Sequence, residues 1–195
     1  MDKLLLFLEI FGAIAGLAGV WLSTKQVVWC WPLLILSSIA YGIVFLHDSN
    51  ALYADGTLQI IYIGMLVYGW NSWAIKTKNK MITYPSYSNI KELMIVLVIF
   101  VSLVPVLAQF LINYTKDPLP YLDSFTFVGS IAAQYLQARK KIENWLVWLV
   151  VNTVYIYMYY DRGLNYTMIL FAIFWLMSII GWMSWKKKLA TETET

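Results

Sequence analysis

The chain has 195 residues, of which 61% are hydrophobic and only 13% are charged, and its net charge is +3. Soluble domains carry about 25% charged residues, so the composition excludes a soluble protein and predicts a polytopic membrane protein. The small net charge gives no indication of nucleic-acid binding, and a single cysteine, Cys30, excludes an intrachain disulfide.

Seven apolar runs follow one another, each near the ~20 residues that a helix needs to cross a bilayer. Their approximate limits are 4–24, 28–46, 57–75, 92–113, 122–138, 144–160 and 166–185. We therefore predict an all-α protein with seven transmembrane helices, a single transmembrane domain over residues 1–188 and a disordered tail over residues 189–195. Glu9 inside the first run argues against a cleaved signal peptide.

The basic residues divide unevenly between alternate connections. Eleven of the 14 lie on one predicted side of the membrane and three on the other. The larger set comprises Lys25, Lys76, Lys78, Lys80, Lys91, Arg139, Lys140, Lys141, Lys186, Lys187 and Lys188. Because loops rich in lysine and arginine stay in the cytoplasm, we predict an outside N-terminus and a cytoplasmic C-terminus.

Two parts of the chain match each other in order. With a shift of 114 positions Trp31 falls on Trp145. With a shift of 112, after a two-residue difference in a short outer loop, the Gly-Trp-x-x-Trp sequence at 69–73 falls on that at 181–185. Chance similarity between apolar helices explains shared leucine and valine better than it explains tryptophans matched in order. The pattern therefore predicts an internal repeat.

The helix count predicts the symmetry of this repeat. The two units cover about residues 4–75 and about 122–187, and an almost purely hydrocarbon helix at about 92–113 links them. A single linking helix gives both units the same orientation in the membrane. We therefore predict parallel three-helix repeats related by an axis along the membrane normal, as in some transporter folds.

The sixth predicted helix carries a polar and aromatic stripe. Trp145, Trp148 and Asn152 are three and four residues apart, and Tyr155 and Tyr159 extend the same face. An amide in hydrocarbon is costly unless it finds a partner, so this face should meet protein or a wet cavity. The alternative is an aromatic belt with one satisfied asparagine, but belts lie at the two membrane interfaces.

Two other helices carry polar side chains at helical spacing. Gln59 and Tyr62 share a face of the third helix, and a longer polar stripe lies on the fifth. The stripe of the fifth helix comprises Thr126, Ser130, Gln134 and Gln137. Intramembrane polar residues are candidates for a substrate pathway, and aromatic faces with amides suit a flat aromatic ligand, particularly a cation.

The chain shows no catalytic or metal-binding pattern. One histidine cannot build a metal site, and neither a phosphate-binding loop nor a His-Glu-x-x-His helix is present in the sequence. We therefore predict that the protein is not an enzyme and uses neither metal nor cofactor. A membrane assembly or structural protein without a ligand is an alternative from another class, although the short loops offer little docking surface.

The sequence resembles the PnuC family of bacterial vitamin transporters, over essentially the whole chain except the tail. The most specific part is Trp-x-x-Trp-x-x-x-Asn, present as Trp145, Trp148 and Asn152. The stretches Leu52 to Asp55 and Gln134 to Lys140 are also similar to that family.

This resemblance implies a fold related to SWEET sugar transporters, a homotrimer in the bacterial inner membrane, and a binding site halfway across the membrane between the repeats. It implies facilitated diffusion of a vitamin that a cytoplasmic kinase then traps by phosphorylation. Family members carry nicotinamide riboside, thiamine or riboflavin; nicotinamide riboside is our first choice, although no residue decides between them.

Within this resemblance, roles can be assigned to individual residues. We expect Trp148 to stack on the vitamin ring and Asn152 to bind its polar substituent. The full set that we assign to the substrate is Trp148, Asn152, Trp145, Gln134, Gln59, Tyr155, Tyr62 and Thr126. Trp31 and Trp145 are also candidates for a gate, with an interfacial anchor as the equal alternative.

Overall fold

Over the residues that the structure describes, the protein is an all-α chain of seven helices. The computed structural model describes residues 3–47, 53–78, 84–115 and 117–193. The helices are α1 (Lys3–Thr24), α2 (Cys30–Leu46), α3 (Tyr53–Lys78), α4 (Ile90–Tyr114), α5 (Pro120–Ala138), α6 (Asn144–Asp161) and α7 (Asn165–Thr193). Within the described ranges the β-structure consists of one isolated bridge, between Ser86 and Lys141.

Each helix coincides with one of the seven predicted apolar runs. Local sequence features explain where several of the helices begin or end. Asn89 caps α4 by accepting a hydrogen bond from the backbone N–H of Glu92 at 2.7 Å. Pro120 stands at the start of α5, where its missing N–H costs nothing. After α6 the chain turns at Gly163, whose φ of 69° suits glycine.

The end of α7 differs from the expectation. The structure continues this helix to Thr193, whereas the sequence predicts a disordered tail over residues 189–195. The low-complexity composition was the basis for that assignment, but a helix already formed is extended at little cost because each added residue gains a hydrogen bond. Residues 194 and 195 lie outside the described residues.

The apolar surface of the helices agrees with a membrane environment. Among the described residues, α1, α4 and α7 up to Thr191 are long and apolar enough to cross a membrane by length and composition, and α2 is a shorter apolar helix. Ala108 is the buried residue of α4, so this helix presents nearly all of its hydrocarbon outward. In water such a surface would be costly, and in lipid it is the expected one.

The chain divides into two compact units, Met1–Thr83 and Tyr84–Thr195. In unit 1, α2 packs against both α1 and α3. In unit 2, α5 packs against α4 and α6, and α6 also packs against α7. The sequence predicted a single domain over 1–188; the structure places helices α1 to α3 in one unit and the linking helix α4 with α5 to α7 in the other.

The turn before the second helix of each repeat has the same backbone in both units. Gln26 and Lys140, 114 positions apart, have φ values of 60° and 57°, the left-handed region that side chains rarely adopt. Four backbone hydrogen bonds around them also correspond. In unit 1 they are Gln26 N to Ser23 O, Val27 N to Leu22 O, Cys30 N to Val27 O and Trp31 N to Val28 O. In unit 2 they are Lys140 N to Gln137 O, Lys141 N to Leu136 O, Asn144 N to Lys141 O and Trp145 N to Ile142 O.

A tryptophan pair beside a glycine forms the core of unit 2. Trp145 and Trp185, 1% and 0% exposed, pack edge to face with ring centroids 5.5 Å apart and an interplanar angle of 90°. The ring of Trp145 lies directly against Gly181, where an added Cβ would come closer than the 3.0 Å limit for real Cβ contacts. Glycine at this position therefore allows α6 and α7 to approach with an indole between them.

The matched residues of unit 1 make the same arrangement. Trp31 and Trp73 pack edge to face at 5.2 Å and 85°, and Trp31 lies against Gly69 where a Cβ would also come within 3.0 Å. Trp31 and Trp73 are 0% and 1% exposed. Residues matched by sequence thus share local geometry, and the predicted symmetry axis of the repeat stays a prediction.

Candidate functional site

Helix α6 carries the predicted stripe on one face, with different degrees of burial along it. Asn152 is 3% exposed, and Trp148 and Tyr155 are half-buried. Trp145 is fully buried against α7, as described above. The middle of the stripe, Trp148 and Asn152, is therefore the part that combines a polar group with partial access.

Trp148 is oriented by a residue of α5. Its indole N–H donates a hydrogen bond to Gln137 Oε1 at 3.2 Å. Gln137 is 4% exposed, so the amide that holds the indole is itself enclosed. A ring held by its only polar atom cannot rotate freely about its side-chain bonds, and it presents a defined aromatic face.

Asn152 is held by α7. Its amide nitrogen donates to Ser178 Oγ at 3.3 Å, and the Ser178 hydroxyl donates to the carbonyl oxygen of Phe174 at 2.8 Å. Ser178 is 2% exposed. The two central residues of the stripe are thus anchored from opposite neighbouring helices, as a precise binding site requires.

The polar stripe predicted on α5 is buried in unit 2. Thr126, Ser130 and Gln134 are 1%, 7% and 2% exposed. The Thr126 hydroxyl donates to the carbonyl oxygen of Asp123 at 3.0 Å, within its own helix. Its proton is therefore already used within α5.

Tyr155 belongs to an aromatic cluster between α6 and α7. Its ring lies 4.4 Å from the ring of Phe171 and is stacked with Tyr159 at 5.9 Å, and Tyr159 lies 5.1 Å from Phe171. The cluster extends the aromatic face beyond Asn152. Phe171 was not among the residues assigned from the sequence, because phenylalanine in an apolar run carries no distinguishing signal.

Two predicted residues, Gln59 and Tyr62, lie on α3 in unit 1, and both are half-buried. Gln59 lines an open cavity of about 460 Å³ between α2 and α3, with isoleucines and a leucine as the apolar lining and Ser38 and His47 as the other polar members. A Cβ built at Gly42 of α2 would lie 3.6 Å from Gln59 Cβ, an ordinary van der Waals contact.

Hydrogen bonds join the loop between α5 and α6 to the segment before α4. This contact was not predictable from the sequence. Ser86 pairs with the loop backbone, donating to Lys140 O at 3.0 Å and accepting from Ile142 N at 3.1 Å. The carboxylate of Glu143 accepts from the N–H of Ser88 at 3.0 Å and from its hydroxyl at 2.9 Å.

Charged side chains strengthen the same connection. Arg139 Nε lies 3.0 Å from Glu92 Oε1, and Lys141 Nζ lies 3.7 Å from Glu92 Oε2. Lys141 also donates to Ser86 Oγ at 3.0 Å. Basic residues that the sequence explained only through membrane orientation thus have local ion-pair partners, which fix the end of α6 that precedes Trp145.

The described part of the chain contains no group of three or more His, Cys, Asp or Glu side chains arranged to hold a metal ion. What the helices do bring together is a half-buried indole, a buried amide and further buried amides on the neighbouring helix. In the part of the chain that the structure describes, apolar helices of membrane-spanning length together with such an enclosed polar and aromatic face define a polytopic membrane protein of the transporter class.

Comparison with known proteins identifies the family. The family model described as nicotinamide mononucleotide transporter matches residues 6–187, and the chain belongs to that family. It is therefore a multi-pass membrane transporter, as the resemblance to the PnuC family predicted.

Individual relatives agree with this membership. The riboflavin/roseoflavin transporter RibM of Streptomyces davaonensis is 24% identical over 190 residues, which cover 94% of this chain and 86% of the relative. The nicotinamide riboside transporter PnuC of Escherichia coli is 23% identical over 204 residues, covering 92% and 84%. The crystal structure of the vitamin B3 transporter PnuC matches the fold with a TM-score of 0.75 at 20% identity, covering 95% of this chain and 83% of that one.

Proposed function

We propose that the protein takes up nicotinamide riboside across the bacterial inner membrane by facilitated diffusion. The observation that carries this proposal is the anchored pair on α6, in which Trp148 is held by Gln137 and Asn152 by Ser178. An aromatic face one helical turn from a fixed amide matches a ligand whose aromatic ring bears a polar substituent. Four residues along a helix is a rise of about 6 Å, a distance that such a ligand spans.

The charge of the ligand favours the same pairing. The nicotinamide ring of the riboside is a flat cation, and tryptophan is the best side chain for cation–π attraction. In our proposal Trp148 stacks on this ring, Asn152 binds the carboxamide, and Gln134 reaches the ribose from α5. Tyr155 extends the aromatic wall. Gln59, Tyr62 and Thr126 stay predictions as substrate contacts.

Riboflavin is the second candidate, because the relative RibM is named for riboflavin and roseoflavin. The name of the Escherichia coli relative favours nicotinamide riboside, and the description of the family model names a nicotinamide compound, the mononucleotide. Isothermal titration of the purified protein with nicotinamide riboside, riboflavin and thiamine distinguishes them. We expect saturable binding of nicotinamide riboside and at least tenfold weaker binding of the other two. Preferential binding of riboflavin would replace the proposed substrate, and binding of none would refute the vitamin site.

Facilitated diffusion is proposed because the sequence is not expected to place a carboxylate at mid-membrane, where a driving ion would bind. Ion-coupled transporters use a mid-membrane carboxylate or unwound backbone for this purpose. In the sequence, every carboxylate except Glu9 lies in a loop, at a helix end or in the tail, and Glu9 is exposed in the described structure. Net accumulation in the cell then depends on a cytoplasmic kinase that phosphorylates the vitamin.

Liposomes containing purified protein and no enzyme test the transport mode. Labelled nicotinamide riboside should equilibrate across the membrane and stop there, with or without a proton or sodium gradient. Accumulation above the external concentration, with the membrane potential clamped at zero, would show ion coupling. We also propose an outside N-terminus, a cytoplasmic C-terminus and a homotrimer, and light scattering of the detergent complex measures the last.

A further inference from the structure

Asn152 is the end of a hydrogen-bond chain that begins on the backbone of α7. Phe174 O accepts from the Ser178 hydroxyl at 2.8 Å, and Ser178 Oγ lies 3.3 Å from the Asn152 amide nitrogen. Asn152 and Ser178 are 3% and 2% exposed. Water therefore has little access to this chain, and its internal direction decides how the amide is turned.

The direction follows from counting protons. A serine hydroxyl has one proton and two acceptor lone pairs, and here Ser178 donates that proton to the carbonyl oxygen of Phe174. Ser178 can then only accept from Asn152, so the amide nitrogen must face α7. With the amide reversed, two oxygens would face each other without a proton between them. The carbonyl oxygen of Asn152 is consequently the end that is left for a ligand.

We propose that Ser178 is a positioning residue that makes Asn152 a hydrogen-bond acceptor and so selects ligands with an N–H donor. This inference rests on the proposed function. A carboxamide on the aromatic ring has N–H protons to give, whereas the corresponding carboxylate has only acceptor oxygens. The site would therefore take the carboxamide form of the nucleoside and reject the carboxylic acid form of the same shape.

Affinities of two ligands for two proteins test the proposal. Nicotinamide riboside and nicotinic acid riboside are titrated against the unaltered protein and against Ser178→Ala. In the unaltered protein we expect the amide to bind about 10- to 100-fold more tightly, the equivalent of one buried hydrogen bond left unmade. In Ser178→Ala the Asn152 amide can turn over, and this preference should fall by about tenfold. The test compares the ratio of the two ligand affinities in the variant with the same ratio in the unaltered protein, so the effect of the ligands' different charges cancels.

Two further variants separate positioning from general damage. Ser178→Thr keeps a hydroxyl that can donate to Phe174 O and should restore the original preference. Thr153→Val is the matched control, because it removes another hydrogen bond between the same helices, from Trp175 Nε1 to Thr153 Oγ1 at 3.1 Å, and should leave the preference unchanged. If Ser178→Ala does not fold, Ser178→Cys replaces it, since sulfur is a weak acceptor.

The outcomes are distinct. Failure of the unaltered protein to bind nicotinamide riboside overturns the proposed substrate and, with it, the role of Ser178. Binding of nicotinamide riboside with the same preference in Ser178→Ala overturns the role of Ser178 and leaves the proposed function standing. If the preference for the amide ligand falls equally in Thr153→Val and in Ser178→Ala, the positioning role of Ser178 is also overturned, because the effect would then follow from loosened packing between α6 and α7.

Discussion

The tryptophan–glycine contact of each unit leads to a specific prediction about stability. In Gly181→Ala the new Cβ overlaps the ring of Trp145, and in Gly69→Ala it overlaps the ring of Trp31. Both rings are fully buried and are held by a second tryptophan, so neither can swing aside. Gly64→Ala is the matched control on the same helix as Gly69, because its Cβ position has no neighbour within 4 Å.

The magnitude follows from two opposing terms. Alanine is favoured over glycine inside a helix by about 1 kcal/mol, and this gain applies to all three substitutions. Overpacking a filled core costs about 1–3 kcal/mol, and this applies only to Gly69→Ala and Gly181→Ala. Relative to Gly64→Ala, both should therefore be destabilised by about 1–3 kcal/mol. For a chain of this size, 1 kcal/mol corresponds to about 2–4 °C in Tm, so the expected difference is roughly 2–12 °C.

Thermal unfolding of the three purified variants, followed by tryptophan fluorescence, measures this difference. A double variant adds a second check, since Trp145→Phe shortens the ring and should recover part of the stability that Gly181→Ala loses. If Gly69→Ala and Gly181→Ala melt at the same temperature as Gly64→Ala, the close contact of helix and indole does not exist and the shared geometry of the two units is wrong.

Three other predictions follow. In titration, Trp148→Ala should weaken nicotinamide riboside binding by about tenfold or more, since stacking on an aromatic ring is worth about 1–3 kcal/mol. The control Trp29→Ala, at a residue that is 70% exposed, should have no effect on binding. Equal losses of affinity in both variants would remove any special role of the stripe. Glu143→Ala should lower stability by about 1.5–3 kcal/mol, because it removes charged hydrogen bonds to Ser88, and an unchanged Tm would contradict this. Reporter proteins fused in the α6–α7 connection and after α7 should report outside and inside respectively, and the same side for both would refute the topology.

Several features of this protein were predictable from the sequence because they depend on local order along the chain. The seven helices follow from apolar runs of membrane length. The shared face of Trp148 and Asn152 follows from helical periodicity, which holds whatever surrounds the helix. Family membership followed from the motif that these residues form, and the family comparison confirmed it.

Other features could not be read from the sequence because they depend on which helices are neighbours. Ser178 is one serine in an apolar run, and nothing along α7 indicates that it meets Asn152, 26 positions away. Glu143 and Ser88 are 55 positions apart, and their pairing depends on how the segment before α4 folds back on the α5–α6 loop.

Trp145 illustrates most clearly the difference between what the sequence determines and what the tertiary structure determines. The sequence predicts a substrate contact or a gate for this residue, with an interfacial anchor as the alternative, since indoles favour the membrane interface. The structure places it at 1% exposure beside Gly181 and Trp185. The spacing of residues on one helix decides which side chains share a face. Only the packing of one helix on another decides which of these side chains meet a partner. The indole of Trp145 fits against α7 because Gly181 has no Cβ, and no sequence pattern within α6 indicates this.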